Sequence, residues 1–127
     1  MKANEYLSVL DAQNIAYDLN ISPEAEEVKL GMVLRRELYM IFKEAVCNAS
    51  KYAGCTFIKI SLTRHKDTCI LLVCDNGKGF DVDAVSSGNG LYNMKERAKK
   101  MKGDIRIESE KSKGTTITLN FNITHFR

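Results

Sequence analysis

Cys69-Ile70-Leu71-Leu72-Val73-Cys74, followed at once by Asp75-Asn76-Gly77-Lys78-Gly79-Phe80, decides the fold of this chain. The first six residues are its longest uninterrupted apolar run. A membrane-spanning helix needs about 20 such residues, whereas a strand inside a sheet needs only a handful. The run is apolar on both faces and follows a polar turn, His65-Lys66-Asp67. It therefore reads as a central strand, paired as a hairpin with residues 56–64.

Around it, apolar and polar residues alternate at Ile15, Tyr17, Leu19 and Ile21, at Ile58, Ile60 and Leu62, at Ile105 and Ile107, and at Ile117, Leu119 and Phe121. Alternation of period two gives strands with one buried face. Residues 104–109 and 115–121 form a second expected hairpin, turning through Glu110-Lys111-Ser112-Lys113-Gly114. Helical spacing takes over elsewhere. Leu34, Leu38, Ile41, Phe42, Ala45, Ala49 and Ala53 recur at three- and four-residue steps before a stop at Gly54, and Leu91, Met94, Ala98 and Met101 do so before Gly103. Residues 2–12 carry a weaker helical pattern. A mostly antiparallel sheet with alternating strands needs cover on one face only, which two long amphipathic helices supply. The expected fold is a two-layer α/β (α+β) sandwich, a mixed, mostly antiparallel five-stranded sheet with helices on one face.

With 127 residues the chain can bury one core, and a single proline (Pro23) with no repeat or low-complexity stretch marks no linker. Lys and Arg exceed Asp and Glu by 19 to 16, giving +3, too weak and interspersed to point to nucleic acid or a membrane surface. The start, Met1-Lys2-Ala3-Asn4-Glu5, has no apolar signal region, so a soluble chain without an export signal is expected. Cys47, Cys55, Cys69 and Cys74 form no Cys-x-x-Cys pair, and two lie in the apolar run. Buried free thiols in a reducing compartment are expected, rather than structural zinc or a disulfide framework.

Chemistry concentrates in three places. On the first long helix, Glu44, Asn48 and Lys51 share nearly one face, a polar stripe opposite the apolar one. An amide oxygen is a hard ligand suited to Mg²⁺, an ammonium neutralises phosphate and a carboxylate accepts a proton. A solvated helix face is the plainer alternative. Next, Asp75 ends the buried strand and Gly77 and Gly79 follow, so backbone can approach a flat ligand while the carboxylate accepts from an exocyclic amine such as that of adenine. A tight Asn-Gly turn explains the same residues. An EF-hand is rejected, since its third and fifth ligand positions would be Gly77 and Gly79. Last, residues 81–90 suit a mobile lid, and Gly88-Asn89-Gly90 before Leu91 opens a helix whose free amides can hold a di- or triphosphate, unless it is merely a flexible helix start. Neither a dinucleotide fingerprint nor a P-loop is present. Gly114-Thr115-Thr116 opens the last strand, where a Thr hydroxyl beside Asp75 can complete a polar patch around a purine.

In order, these pieces resemble the ATP-binding catalytic domain of sensor histidine kinases, within the superfamily that includes gyrase, Hsp90 and MutL. Residues Glu44 to Tyr52 resemble the N box, Asp75 to Phe80 the first glycine box, Gly88 to Met94 the second, and Gly114 to Leu119 the closing strand. The compact lid and the helix Gly90 to Arg97 are most similar to the subgroup of nitrate-responsive and membrane-fluidity-sensing kinases. The resemblance covers about residues 14 to 122, leaving residues 1–13 as the expected end of an upstream dimerisation helix and 14–127 as the catalytic domain. It implies a Bergerat-type fold with ATP and Mg²⁺ as ligands. It also implies that Asn48 ligates Mg²⁺, Glu44 is the catalytic base, and Lys51 and the second helix hold phosphates. Asp75 and Thr115 would contact adenine, with Tyr52, Gly77, Gly79, Phe80, Gly88, Gly90 and Leu91 completing the nucleotide site.

A kinase of this kind also needs a phosphoacceptor histidine on a helical dimerisation domain. His65 falls in a turn and His125 beside the C-terminus, so neither fits. The resemblance therefore implies a catalytic fragment of a larger, membrane-associated kinase, itself cytoplasmic. Its partners would be the upstream dimerisation domain and, through it, a response regulator, with no nucleic acid and no direct membrane contact. Two other readings use the same motifs: a stand-alone serine kinase of the anti-sigma type, and a binding module in which nucleotide orders the lid without catalysis.

Overall fold

The computed structural model describes residues 3–52, 54–79 and 89–126. Five strands, β1 (Ala16–Ile21), β2 (Phe57–His65), β3 (Thr68–Asp75), β4 (Asp104–Glu110) and β5 (Gly114–Asn122), form one sheet in the order β1-β2-β3-β5-β4. β1 runs parallel to β2 and the other three pairs are antiparallel, giving the expected mixed sheet with β3 at its centre. Both expected hairpins form, β2–β3 turning at Lys66 and β4–β5 at Ser112, each with positive φ.

The register stacks side chains in rows across the helix-facing side. Leu62, Leu71, Leu119 and Ile105 make one row, and Ile60, Val73, Ile117 and Ile107 the next. These pack against α1 (Ala3–Ala12), α3 (Met32–Tyr52) and α4 (Asn89–Lys100) in a single core that includes Leu7, Leu10, Leu34, Leu38, Ile41, Phe42, Met94 and Met101. Burying each such side chain contributes about 1.5–3 kcal/mol. The other face is open: Phe57 and Ile70 are exposed there, and Leu72 and Cys74 half-buried. β3 is thus apolar on both faces because of its central place in the ladder, while only one face is covered.

Three details went beyond the sequence pattern. A short helix, α2 (Pro23–Glu26), follows β1, with the Ser22 side chain accepting from the Ala25 amide at 3.2 Å and proline in the first turn, where no backbone donor is missed. A 3₁₀ turn, Ile123–Phe126, ends the fold. At the end of α4 the left-handed residue is Lys102 rather than Gly103. Gly103 is required for space instead, since a Cβ there would meet the Asn120 carbonyl oxygen at 2.9 Å. Gly54, with φ +61, follows α3 as a helix stop in open space. All four cysteines are free thiols, Cys55 and Cys69 buried, and no described helix is long and apolar enough to cross a membrane.

Candidate nucleotide site

The two apolar rows of the sheet give way to a polar one at the end of β3. Asp75 is the register partner of Ile58 on one side and Thr115 on the other, and Thr115 is the partner of Ser109. Strand parity puts Asp75, Thr115 and Ser109 on the same helix-facing side as Val73, Ile117 and Ile107. Asp75 is 8% exposed and Thr115 is 7% exposed.

Asp75 Oδ1 accepts from the Gly77 amide at 2.8 Å, and the Thr115 amide also donates to the carboxylate. Burial pushes the Asp75 pKa up, and these two amide bonds pull it back only in part. Among the described residues no buried side-chain polar atom lacks a partner, so the carboxylate is held before any ligand arrives. A carboxylate offers about four lone-pair sites, so acceptor capacity remains for an amine.

The segment after β3 is fastened on both sides. Asn76 Oδ1 accepts from the amides of Thr56 (2.9 Å) and Phe57 (3.0 Å), and its Nδ2 donates to Thr56 Oγ1 at 2.9 Å. On the far side the Ser112 amide donates to the Lys78 carbonyl. Gly79 has φ +66, and a Cβ on it would lie 1.9 Å from the Glu110 carbonyl oxygen. Gly114, with φ +84, would bring a Cβ 2.1 Å from the Asp75 carbonyl oxygen. The space a Gly79 side chain would need is thus taken by the protein's own β4–β5 hairpin, a packing requirement beyond the ligand approach expected from the sequence.

On α3, Glu44 and Asn48 are half-buried. They flank the buried stripe rather than lie opposite it, because 100° per residue sets Glu44 only 60° from Ile41 and Asn48 only 60° from Ala45. Beside this part of α3, the Cys55 thiol donates to the Ala49 carbonyl at 3.2 Å. Burial raises the Cys55 pKa first, and the nearby Asp75 charge raises it further. Lys51 and Tyr52 form the last turn of α3 and Gly90 the first of α4, with their side-chain surroundings outside the described residues, as are Phe80 and Gly88 altogether. Leu91 is half-buried and packs on the core.

The structure therefore brings Asp75, Gly77, Gly79 and Thr115 together, with Glu44 and Asn48 on the neighbouring helix. Sequence reading missed Asn76 as an anchor, Ser109, and the ion pair of Glu37 with Arg97 that joins α3 to α4. Ser109 was recoverable by counting the second hairpin's register; the other contacts span 20 and 60 residues. Among the described residues no cluster of three His, Cys, Asp or Glu side chains occurs; Asn48 offers one amide oxygen, a hard donor of the kind Mg²⁺ accepts alongside phosphate and water.

Residues 34–125 match the family described as histidine kinase-, DNA gyrase B- and HSP90-like ATPase. The chain is 33% identical over 113 residues to the oxygen sensor histidine kinase NreB of Staphylococcus carnosus, a match spanning 87% of this chain and 31% of that protein. The blue-light activated histidine kinase EL346 of Erythrobacter litoralis shares its fold, with a TM-score of 0.79 at 12% identity over 96% of this chain and 40% of the other. So does the mycobacterial sensor histidine kinase MprB, at 0.73 and 18% over 94% and 90%. The chain belongs to the histidine kinase-, DNA gyrase B- and HSP90-like ATPase family.

Proposed function

We propose that this domain binds Mg-ATP at the Asp75 end of the sheet and donates the γ-phosphoryl group to a histidine on a dimerisation domain outside the chain. The observation that carries the reading is the buried Asp75–Thr115 pair, held by backbone amides beside the helix bearing Glu44 and Asn48. Asp75 accepts from the adenine amine, and Thr115 faces the same base. Asn48 would hold Mg²⁺ through its amide oxygen, and the bound ion would supply neutralisation of phosphate charge. Lys51 and the amides opening α4, with Gly88 and Gly90, hold the phosphates. Tyr52, Gly77, Gly79, Phe80 and Leu91 complete the lining.

Glu44 lies one helical turn before Asn48, so a base and a metal-bearing residue act from one rigid element. Glu44 accepts from one imidazole nitrogen of the incoming histidine and orients the other for in-line attack. The new P–N bond forms as the bond from the γ-phosphorus to the bridging oxygen breaks, and the electron pair leaves with ADP. The chain spans 31% of NreB's length, and α1 is the proposed junction with an upstream dimerisation helix in a cytoplasmic part of a larger kinase, from which a response regulator receives the phosphoryl group.

The test is transfer from labelled ATP to a supplied histidine-bearing dimerisation domain. An acid-labile phosphoryl group on that domain is expected. Glu44→Ala should keep nucleotide affinity within about twofold while transfer falls about 10²–10⁴-fold. Acid-stable phosphoserine on a partner protein would support the serine-kinase reading, and transfer unchanged by Glu44→Ala would remove Glu44 from the mechanism.

A further inference from the structure

Asn76-Gly77 is one of two Asn-Gly pairs in the chain, the other being Asn89-Gly90. In such a pair the glycine amide nitrogen can attack the asparagine side-chain carbonyl carbon, because glycine has no side chain to hinder the approach. The fold holds the two reacting groups on different partners. Asn76 Oδ1 accepts from the amides of Thr56 (2.9 Å) and Phe57 (3.0 Å), and Nδ2 donates to Thr56 Oγ1 at 2.9 Å, so the exposed side chain is clasped to the start of β2. The buried Gly77 instead directs its N–H to Asp75 Oδ1 at 2.8 Å. That N–H must lose its proton as the nitrogen attacks, and the carboxylate beside it is a base already in place. Burial raises the Asp75 pKa, which strengthens it as a base. Attack is thus assisted at the nitrogen and restrained at the carbon by the clasp.

We propose that Asn76-Gly77 is a spontaneous modification site that limits the working life of the nucleotide site, with Thr56 as its guard. When the clasp opens, the Gly77 nitrogen bonds to Asn76 Cγ, its proton passes to Asp75, and Nδ2 takes up a proton and leaves as ammonia. Solvent water then opens the cyclic imide. Cleavage at Cγ gives aspartate, whereas cleavage at the main-chain carbonyl gives isoaspartate, whose backbone is one carbon longer. Aspartate keeps the clasp, since one oxygen accepts the same two amides and the Thr56 hydroxyl turns to donate to the other. Isoaspartate breaks it and moves the Gly77 amide off Asp75. The segment has no slack to absorb the extra carbon, with Gly77 buried and Gly79 against the Glu110 carbonyl. Loss of ATP binding rests on the nucleotide reading of the Asp75 site; the modification itself does not.

The whole chain is aged in mildly alkaline buffer and sampled by peptide mass spectrometry, with isoaspartate scored enzymatically and ATP stoichiometry by calorimetry with Mg²⁺. Thr56→Val removes the Oγ1 acceptor at an exposed position and should speed modification of Asn76 about threefold to tenfold, the effect of one neutral hydrogen bond. Thr56→Ser, which keeps the hydroxyl, should return the parent rate. Asn89-Gly90 is the internal standard: its rate should match in all three chains, whereas general loosening of the fold would speed both pairs. ATP stoichiometry should fall in proportion to isoaspartate at position 76, and that part of the loss should be gone in Asn76→Asp, which has no ammonia to release. An Asn76 rate indifferent to Thr56→Val, equal acceleration of both pairs, or full ATP stoichiometry in chains bearing isoaspartate at 76 would overturn the proposal and leave the nucleotide reading intact. Failure of the freshly purified chain to bind ATP would overturn that reading, and the Thr56 series would still decide the guarded modification by mass alone.

Discussion

Asp75 and Thr115 are register partners one row beyond two fully apolar rows of the sheet, both on its helix-facing side. The row that should continue the core is instead polar, and burial there raises the Asp75 pKa. An acid whose folded pKa lies above its unfolded value favours folding at pH below the unfolded value, and that contribution is lost as pH rises through the folded pKa. The ionised Asp75 is therefore a stability cost near neutrality. Asp75→Asn should make the fold more stable relative to the parent chain at pH 7 than at pH 3, and urea unfolding at the two pH values checks the sign.

Gly79 and Gly54 separate two ways in which alanine can fail. Both have positive φ, but a Cβ on Gly54 meets nothing within 4 Å, whereas one on Gly79 meets the Glu110 carbonyl. Gly54→Ala should cost only the backbone strain, about 1–2 kcal/mol. Gly79→Ala must also push the β4–β5 hairpin away, and should cost clearly more while weakening ATP. Similar unfolding midpoints for the two variants would show that the close approach to Glu110 is not maintained.

Glu37 is 1% exposed, and its Oε2 accepts from Arg97 Nη1 at 2.9 Å across the α3–α4 packing, with Arg36 Nε at 3.5 Å from Oε1. Removing the Arg97 partner leaves a buried carboxylate, a change that costs about 3–5 kcal/mol when the pair is fully buried. Arg97 is 29% exposed, so water repays part of that, and Arg97→Met should cost about 2–3 kcal/mol. Arg36 is 62% exposed, and Arg36→Ala should cost at most about 0.5 kcal/mol. Denaturant titrations of the two variants should rank them in this order.

Much of the fold was legible because alternation and helical spacing act locally. Ile58, Ile60 and Leu62 announce a one-sided strand without reference to anything distant, and the run Cys69 to Cys74 announces its centre. The same parity that buries Val73 and Ile117 buries Asp75 and Thr115, so the core of the candidate site was legible too. What was not legible depends on contacts that sequence spacing does not encode. Asn76 looked like half of an Asn-Gly turn because its partners, Thr56 and Phe57, lie 20 and 19 residues earlier. Gly79 read only as room for a ligand, because nothing nearby in sequence reveals how closely the Glu110 carbonyl approaches it. The burial of Glu37 depends on α4 bringing Arg97 to it from 60 residues away.

The most direct test of the central claim is calorimetric titration of the chain with Mg-ATP and Mg-GTP, repeated on Asp75→Asn. Guanine presents a carbonyl oxygen where adenine presents an amine, so an ionised, buried Asp75 should disfavour GTP by at least about 1–3 kcal/mol. Selective ATP binding that weakens in Asp75→Asn, with the preference over GTP reduced, is the predicted result. Equal binding of the two nucleotides, or an ATP affinity indifferent to Asp75→Asn, would contradict the assignment of the Asp75–Thr115 row as the base site.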